Sequence, residues 1–209
     1  MAPLWPSTYD SPTPGANVVK KTVTIVGVGA LGSHLALLLR NEAHLTFIDF
    51  DRVEAKNVLA QFHGKPQTGK LKVASLNQTL QFLFGVAAIG LPHKLTKDNV
   101  QQLLKGGALI VDCLDNFEAR TLVQEYARAN NRPCLHGALA PNGQYGRVVW
   151  DEDFTIDSEA GAGAATCENG DFLPFIALVS SYLAHSAQTF LKDGKKVGYE
   201  ISPAGAFST

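Results

Sequence analysis

Gly27, Gly29 and Gly32 close a β-branched run that reads Val23-Thr-Ile-Val-Gly-Val-Gly-Ala-Leu-Gly32. This G-x-G-x-x-G spacing allows a tight turn at the first glycine and close backbone approach to a phosphate at the second. The third lets helix pack on strand, and the helix N-terminus offers free N–H groups to an anion. About 20 residues on, Asp49 ends a second apolar run, His44-Leu-Thr-Phe-Ile-Asp-Phe-Asp51, where a carboxylate can accept hydrogen bonds from ribose hydroxyls. Asp51, Asn57 and Gln61 come next, then Gly69, Lys70 and Lys72, and a later buried run carries Asp112, Asp115 and Asn116. If all of these stand at the carboxyl ends of strands, two carboxylate clusters, a lysine pair and a glycine turn meet on one sheet edge. Such a set suits a nucleoside triphosphate better than a redox dinucleotide. Lysine neutralises phosphate charge, and a carboxylate can hold the Mg2+ that bridges phosphate oxygens. Taken singly, Asp115 and Asn116 also read as caps of the following helix, and Lys70 and Lys72 as solvated surface.

The elements that must position these residues alternate regularly. Strand patterns cover 22–27, 45–49, 85–91, 108–114, 133–137 and 146–150, and helical spacing covers 30–40, a stretch from Thr68, 98–104 and 116–130. The segment 50–67 is irregular, Ser158–Ala165 is a small-residue loop, and Phe172–Leu191 reads as a long buried helix. Alternation with short connections predicts an α/β fold, a doubly wound, mostly parallel Rossmann-like sheet. Residues 1–17, with Pro3, Pro6, Pro12 and Pro14, read as a flexible arm, and 18–209 as one nucleotide-binding domain.

Composition narrows the class. The 209 residues are 45% hydrophobic and 18% charged with a net charge of −1, which gives no electrostatic footprint for nucleic acid or an anionic membrane. No signal-peptide layout opens the chain, so a cytoplasmic protein is expected. Three cysteines without a C-x-x-C pair, and six histidines without ligand spacing, lead us to expect no zinc. Cys113 and Cys134 fall in apolar strands and read as buried and inert.

Over residues 21–192 the chain resembles the ThiF/MoeB superfamily, relatives of the ubiquitin-activating enzymes. The likeness rests on Gly27-Val-Gly-Ala-Leu-Gly32, on Asp49-Phe-Asp51 with Val53, Asn57 and Gln61, and on Gly69-x-x-Lys72. It continues through Asp112-Cys-Leu-Asp-Asn116 with Arg120, Gly137-Ala138, Gly143-Gln144 and Thr166-Cys167-Glu168. The resemblance implies adenylation: Mg-ATP is bound, and the C-terminal glycine carboxylate of a small ubiquitin-like or sulfur-carrier protein is activated with release of pyrophosphate. It also implies a homodimer paired through the sheet edge and long helix, with apolar residues such as Phe172, Phe175, Ile176, Val179 and Leu183 available for it. Asp49 corresponds to the ribose-binding carboxylate, Asn57 and Lys72 to phosphate contacts, and Asp115 to the magnesium ligand.

Departures from the family are informative. Asn57-Val-Leu-Ala-Gln61 places Ala60 where the family carries a phosphate-binding arginine, and the proline-rich arm replaces an N-terminal helix that supplies another. Arg52 and Arg120 are the candidates to make up the charge. One missing donor costs on the order of 3 kcal/mol in the transition state, so adenylation about 100-fold slower than in better-equipped relatives is expected, with Ala60→Arg raising it. Cys167 has two readings: a thiol that bonds covalently to the carrier protein, favoured by a helix N-terminus, or a small packing residue. Two other functions stay open: a carrier-binding module of the same family with reduced catalysis, and an NAD(P)-dependent oxidoreductase, for which the chain shows no catalytic constellation.

Overall fold

The computed structural model describes residues 20–156 and 170–209. Its centre is an eight-stranded sheet, β1 (Thr22–Val26), β2 (His44–Ile48), β3 (Ile89–Leu91), β4 (Leu109–Asp112), β5 (Cys134–Leu139), β6 (Gly146–Trp150), β7 (Tyr199–Ser202) and β8 (Gly205–Ser208), in the order β3-β2-β1-β4-β5-β6-β7-β8. The five strands from β3 to β5 run parallel, and β5 to β8 form an antiparallel meander. The expected doubly wound, mostly parallel sheet is therefore present, with an antiparallel extension.

Helices α1 (Ala30–Leu39), α2 (Lys72–Phe84), α3 (Val100–Leu104), α4 (Phe117–Ala129) and α5 (Leu173–Asp193) cover both faces. Alternation along the strands assigns the faces. Val23 and Ile25 of β1 and Leu109 and Val111 of β4 pack with α1, α2 and α5, whereas Val26 and Ile110 pack with α3 and α4. Because central strands are buried on both faces, they read as continuous apolar runs.

Several boundaries differ from the sequence expectation for local reasons. The helix expected from Thr68 begins at Lys72, because Gly69 takes φ +86° and the chain first forms a bridge between Arg52 and Leu71. Gly85, at φ +68°, ends α2 and delays β3 to Ile89. Residues 50–67 hold two short 3-10 turns, 55–59 and 65–67. The hairpin β7–β8 was not foreseen; its four-residue strands flank Pro203-Ala204, too short for a periodicity to register.

The apolar residues of α5 do not wait for a second copy. Phe175, Ile176, Val179 and Leu183 are buried against the sheet and α1 of their own chain. Close approach there needs glycine: a Cβ on Gly146 would lie 2.6 Å from Val179 Cγ2, and one on Gly137 3.0 Å from Leu183 Cδ2. Exposed large hydrophobic side chains include Phe82 and Leu83 of α2, Ile89 of the edge strand β3 and Phe207 of the edge strand β8. No helix among the described residues is long and apolar enough to cross a membrane. The arm 1–17, the loop Ser158–Ala165 and Cys167 lie outside the described residues.

Candidate functional site

The turn between β1 and α1 is built by its glycines in two different ways. Gly27 takes φ +84°, and a Cβ on Gly32 would sit 1.9 Å from the Gly27 carbonyl oxygen, so both are steric requirements of the turn. A Cβ on Gly29 would meet nothing nearer than 3.8 Å, which leaves its place open toward a ligand. No side chain caps α1 and no acidic residue occupies its first turn, so its leading N–H groups remain available to an anion.

Asp49 does more than stand ready for a ribose. Its Oδ2 accepts the Val28 N–H of the glycine turn at 2.9 Å and its Oδ1 accepts the Asp51 N–H at 2.8 Å. Each oxygen keeps a second lone pair for a ligand hydroxyl. Burial holds the Asp49 carboxyl above the usual carboxylate range, against the pull of the Lys72 ammonium and the two backbone donors. The carbonyl of the same residue, Val28, is held by a side chain that the sequence motifs do not assign, His63. Its Nε2 lies 3.0 Å from the Val28 carbonyl, which fixes a proton on that nitrogen, and its Nδ1 lies 3.1 Å from Ser75 Oγ. Burial drives the His63 imidazole down to about 4; the Val28 carbonyl opposes this, and Lys72 adds to it. Its signal in the sequence was faint, a histidine two residues beyond Gln61 in a segment without periodicity.

The bridge between residues 52 and 71 carries Lys72 back under β2. Its Nζ lies 3.1 Å from Asp51 Oδ2, with the lysine buried and the aspartate half-exposed. Asn57 is buried, and its Oδ1 accepts the Glu54 N–H at 2.9 Å, shaping the 3-10 turn; Gln61 is buried beside it. Asn116 caps α4 by accepting the Ala119 N–H at 2.9 Å. Asp115, next to it at the carboxyl end of β4, is exposed, and among the described residues no hydrogen bond or ion pair occupies its carboxylate. Glycine turn, Asp49, Asp51, Lys72 and Asp115 thus share the carboxyl edge of β1, β2 and β4.

Three expectations change. Asp112 is not part of that edge: its side chain is fully buried on the α4 face, 2.8 Å from His136 Nδ1 and 3.7 Å from Arg120 Nε. Of the two candidate arginines, only Arg120 is buried and committed within the chain, whereas Arg52 is exposed and spends one donor. Arg52 donates to the Gly69 carbonyl at 2.7 Å, and Arg120 donates to the carbonyls of Leu114 and Gly137. Ala60 is fully buried in the core, so an arginine there would not reach into the cleft without displacing packed side chains. Burial raises the thiols of Cys113 and Cys134, in keeping with inert cysteines.

The ThiF family profile matches residues 15–203. The chain belongs to the ThiF family. Among curated relatives, the adenylyltransferase and sulfurtransferase MOCS3 of Mus musculus is 34% identical over 127 residues, 58% of this chain and 28% of that protein. Ubiquitin-like modifier-activating enzyme 5 of Caenorhabditis elegans is 30% identical over 148 residues, 64% of this chain and 35% of that protein. The chain therefore spans about a third of the length of these ThiF relatives. The fold is shared with E. coli MccB solved with ATP, at a TM-score of 0.72 and 14% identity over 90% of this chain and 63% of that one.

Proposed function

We propose that this chain binds Mg-ATP on the β1, β2 and β4 edge and adenylates the C-terminal glycine carboxylate of a small ubiquitin-like or sulfur-carrier protein. The observation that carries the reading is the pairing of an uncapped helix N-terminus behind an open Gly29 with the exposed Asp115 carboxylate across the same edge. Membership of the ThiF family supports it.

The residues present fit a magnesium ion. Mg2+ is held by one or two carboxylates with phosphate oxygens and water completing the shell, which is what a lone exposed Asp115 offers. When bound, the ion neutralises charge on the outer phosphates.

The chain's own residues account for the remaining steps. Asp49 orients the ribose while locking the turn that meets the phosphates. The N–H groups of α1 and the Lys72 ammonium supply positive potential where an anionic carboxylate must approach the α-phosphorus. No general base is needed, because a C-terminal carboxylate is already ionised at neutral pH. Asp51 holds Lys72 in place, and Asn57, Gln61 and Asn116 shape the loops around the nucleotide. Cys167 belongs to the reading as an acceptor thiol or a packing residue. The reading includes a cytoplasmic protein acting as a homodimer, with Phe82, Leu83 and Ile89 among the exposed apolar side chains available to a second copy.

The test is ATP–pyrophosphate exchange in the presence of the small glycine-ended protein that a pull-down recovers. Exchange dependent on that protein supports the reading. Stabilisation by NADH and not by ATP refutes it. A second reading follows from the buried Ala60 and the committed Arg120: a carrier-binding module with reduced catalysis. Retention of the carrier without exchange selects that one.

A further inference from the structure

His136 of β5 stands fully buried between two carboxylates. Nδ1 lies 2.8 Å from Asp112 Oδ2 and Nε2 lies 3.1 Å from Asp151 Oδ1. Ionised carboxylates only accept hydrogen bonds, so both ring nitrogens carry protons and the ring is an imidazolium. Burial opposes that charge, yet the bonds to Asp112 and Asp151 raise the imidazole to about 11. Phe154 stacks on the ring, centroids 4.0 Å apart and planes within 9°. Arg128 Nε completes the far end, 2.8 Å from Asp151 Oδ2.

This cluster fastens one particular stretch of backbone. The second oxygen of Asp112 accepts the Leu114 N–H at 2.9 Å, and Arg120 donates to the Leu114 carbonyl at 2.8 Å through Nε. Both polar groups of the residue immediately before Asp115 are therefore tied to buried charge. Arg120 also lies 3.7 Å from Asp112, so the loop after β4 hangs from the carboxylate that His136 grips. At the other end, Arg128 and Gln124 hold the carbonyls of Asp151 and Phe154. Buried ion clusters return little net stability compared with apolar packing, but they enforce geometry through directional bonds.

We propose that His136 is a positioning residue of the adenylation site: by bridging Asp112 and Asp151 it fixes residues 113–116 so that Asp115 is held at one place on the cleft edge. This rests on the reading of Asp115 under Proposed function. Replacing the ring leaves Asp112 without its partner on β5 and loosens the loop, while the glycine turn and Asp49, on β1 and β2, keep their own bonds.

The experiment pairs hydrogen exchange on the full chain, free of nucleotide and metal, with steady-state pyrophosphate exchange. In His136→Ala, amides 113–116 should lose at least about tenfold in protection while those of β1 and α1 keep theirs. The kcat should fall at least about tenfold and the Mg2+ half-saturation rise, with the KM for ATP within about twofold. His136→Asn, which keeps one donor toward Asp112, should recover part of both effects; it carries the comparison alone if His136→Ala does not fold. Unchanged protection of the Leu114 amide, or a loss spread evenly over the sheet, overturns the positioning role. Absence of exchange in the wild-type protein overturns the adenylation reading instead, so the two failures are distinguishable.

Discussion

Acidification should weaken the fold through His63, by an amount its surroundings set. The ring is 4% exposed, its Nε2 proton is committed to the Val28 carbonyl, and its imidazole is lowered from 6.5 to about 4. The unfolded chain takes up a proton near pH 6.5, whereas the folded chain resists until near pH 4. Between these values the unfolded state binds more protons, so stability rises with pH there. The contribution is full above pH 6.5 and is lost as pH falls through about 4. Each pKa unit corresponds to about 1.4 kcal/mol, so about 2 kcal/mol is gone by pH 5 and about 3 kcal/mol below pH 4. Urea denaturation at pH 7.5 and 5.0 measures this, with His63→Gln as the reference that keeps an amide donor for Val28 but does not titrate. With a urea slope of about 2 kcal/mol/M, the wild-type midpoint should fall about 1 M further than that of the variant. Subtracting the variant removes every other carboxyl and histidine that titrates in the range. Parallel decreases in the two proteins would show that His63 charges freely in the fold, and would refute the claim that it clamps Val28 as a neutral ring.

Other expectations follow from the same geometry. Gly32→Ala should destabilise by about 3 kcal/mol or more, because its Cβ would meet the Gly27 carbonyl oxygen at 1.9 Å. Gly29→Ala should leave the melting temperature nearly unchanged while weakening ATP binding in calorimetry; equal effects on both would place Gly29 in the fold and not the site. Asp115→Ala should reduce pyrophosphate exchange on the order of 100-fold or more while AMP affinity, carried by Asp49, stays within about twofold. Ala60→Arg should lower stability by about 3–5 kcal/mol and not raise exchange, since the position is fully buried; a stable, faster variant would show that the turn opens to the cleft.

How much of this was legible in the sequence depends on how local each interaction is. The glycine turn and Asp49 were readable because their chemistry is written in consecutive or regularly spaced residues, and the apolar runs of β1 and β4 announced strands buried on both faces. His63 and His136 were not, because each acts through partners 35 and 24 residues away, a pairing that only the fold creates. Asp112 illustrates the ambiguity of period-2 structure. It ends the same strand that leads to Asp115, yet its side chain faces α4 while Asp115 lies beyond the strand end at the cleft. Spacing in α5 announced a buried helix but not which surface would cover it; the chain's own sheet and α1 receive its apolar residues. Ala60 reads in the sequence as a deletion of charge; in three dimensions it is a fully buried core residue.

The strand order has a consequence for biosynthesis. β1 lies between β2 and β4, and its register with β4 pairs Val26 with Asp112. During synthesis one edge of β1 therefore stays open until residue 112 has left the ribosome, roughly ten seconds at about 5–20 residues per second. Through that interval the backbone N–H and C=O groups along one edge of β1 stay unpaired, beside the apolar Val23, Ile25 and Val26. Slow codons placed shortly after β3 would lengthen this exposure, and codons read quickly through β4 would shorten it.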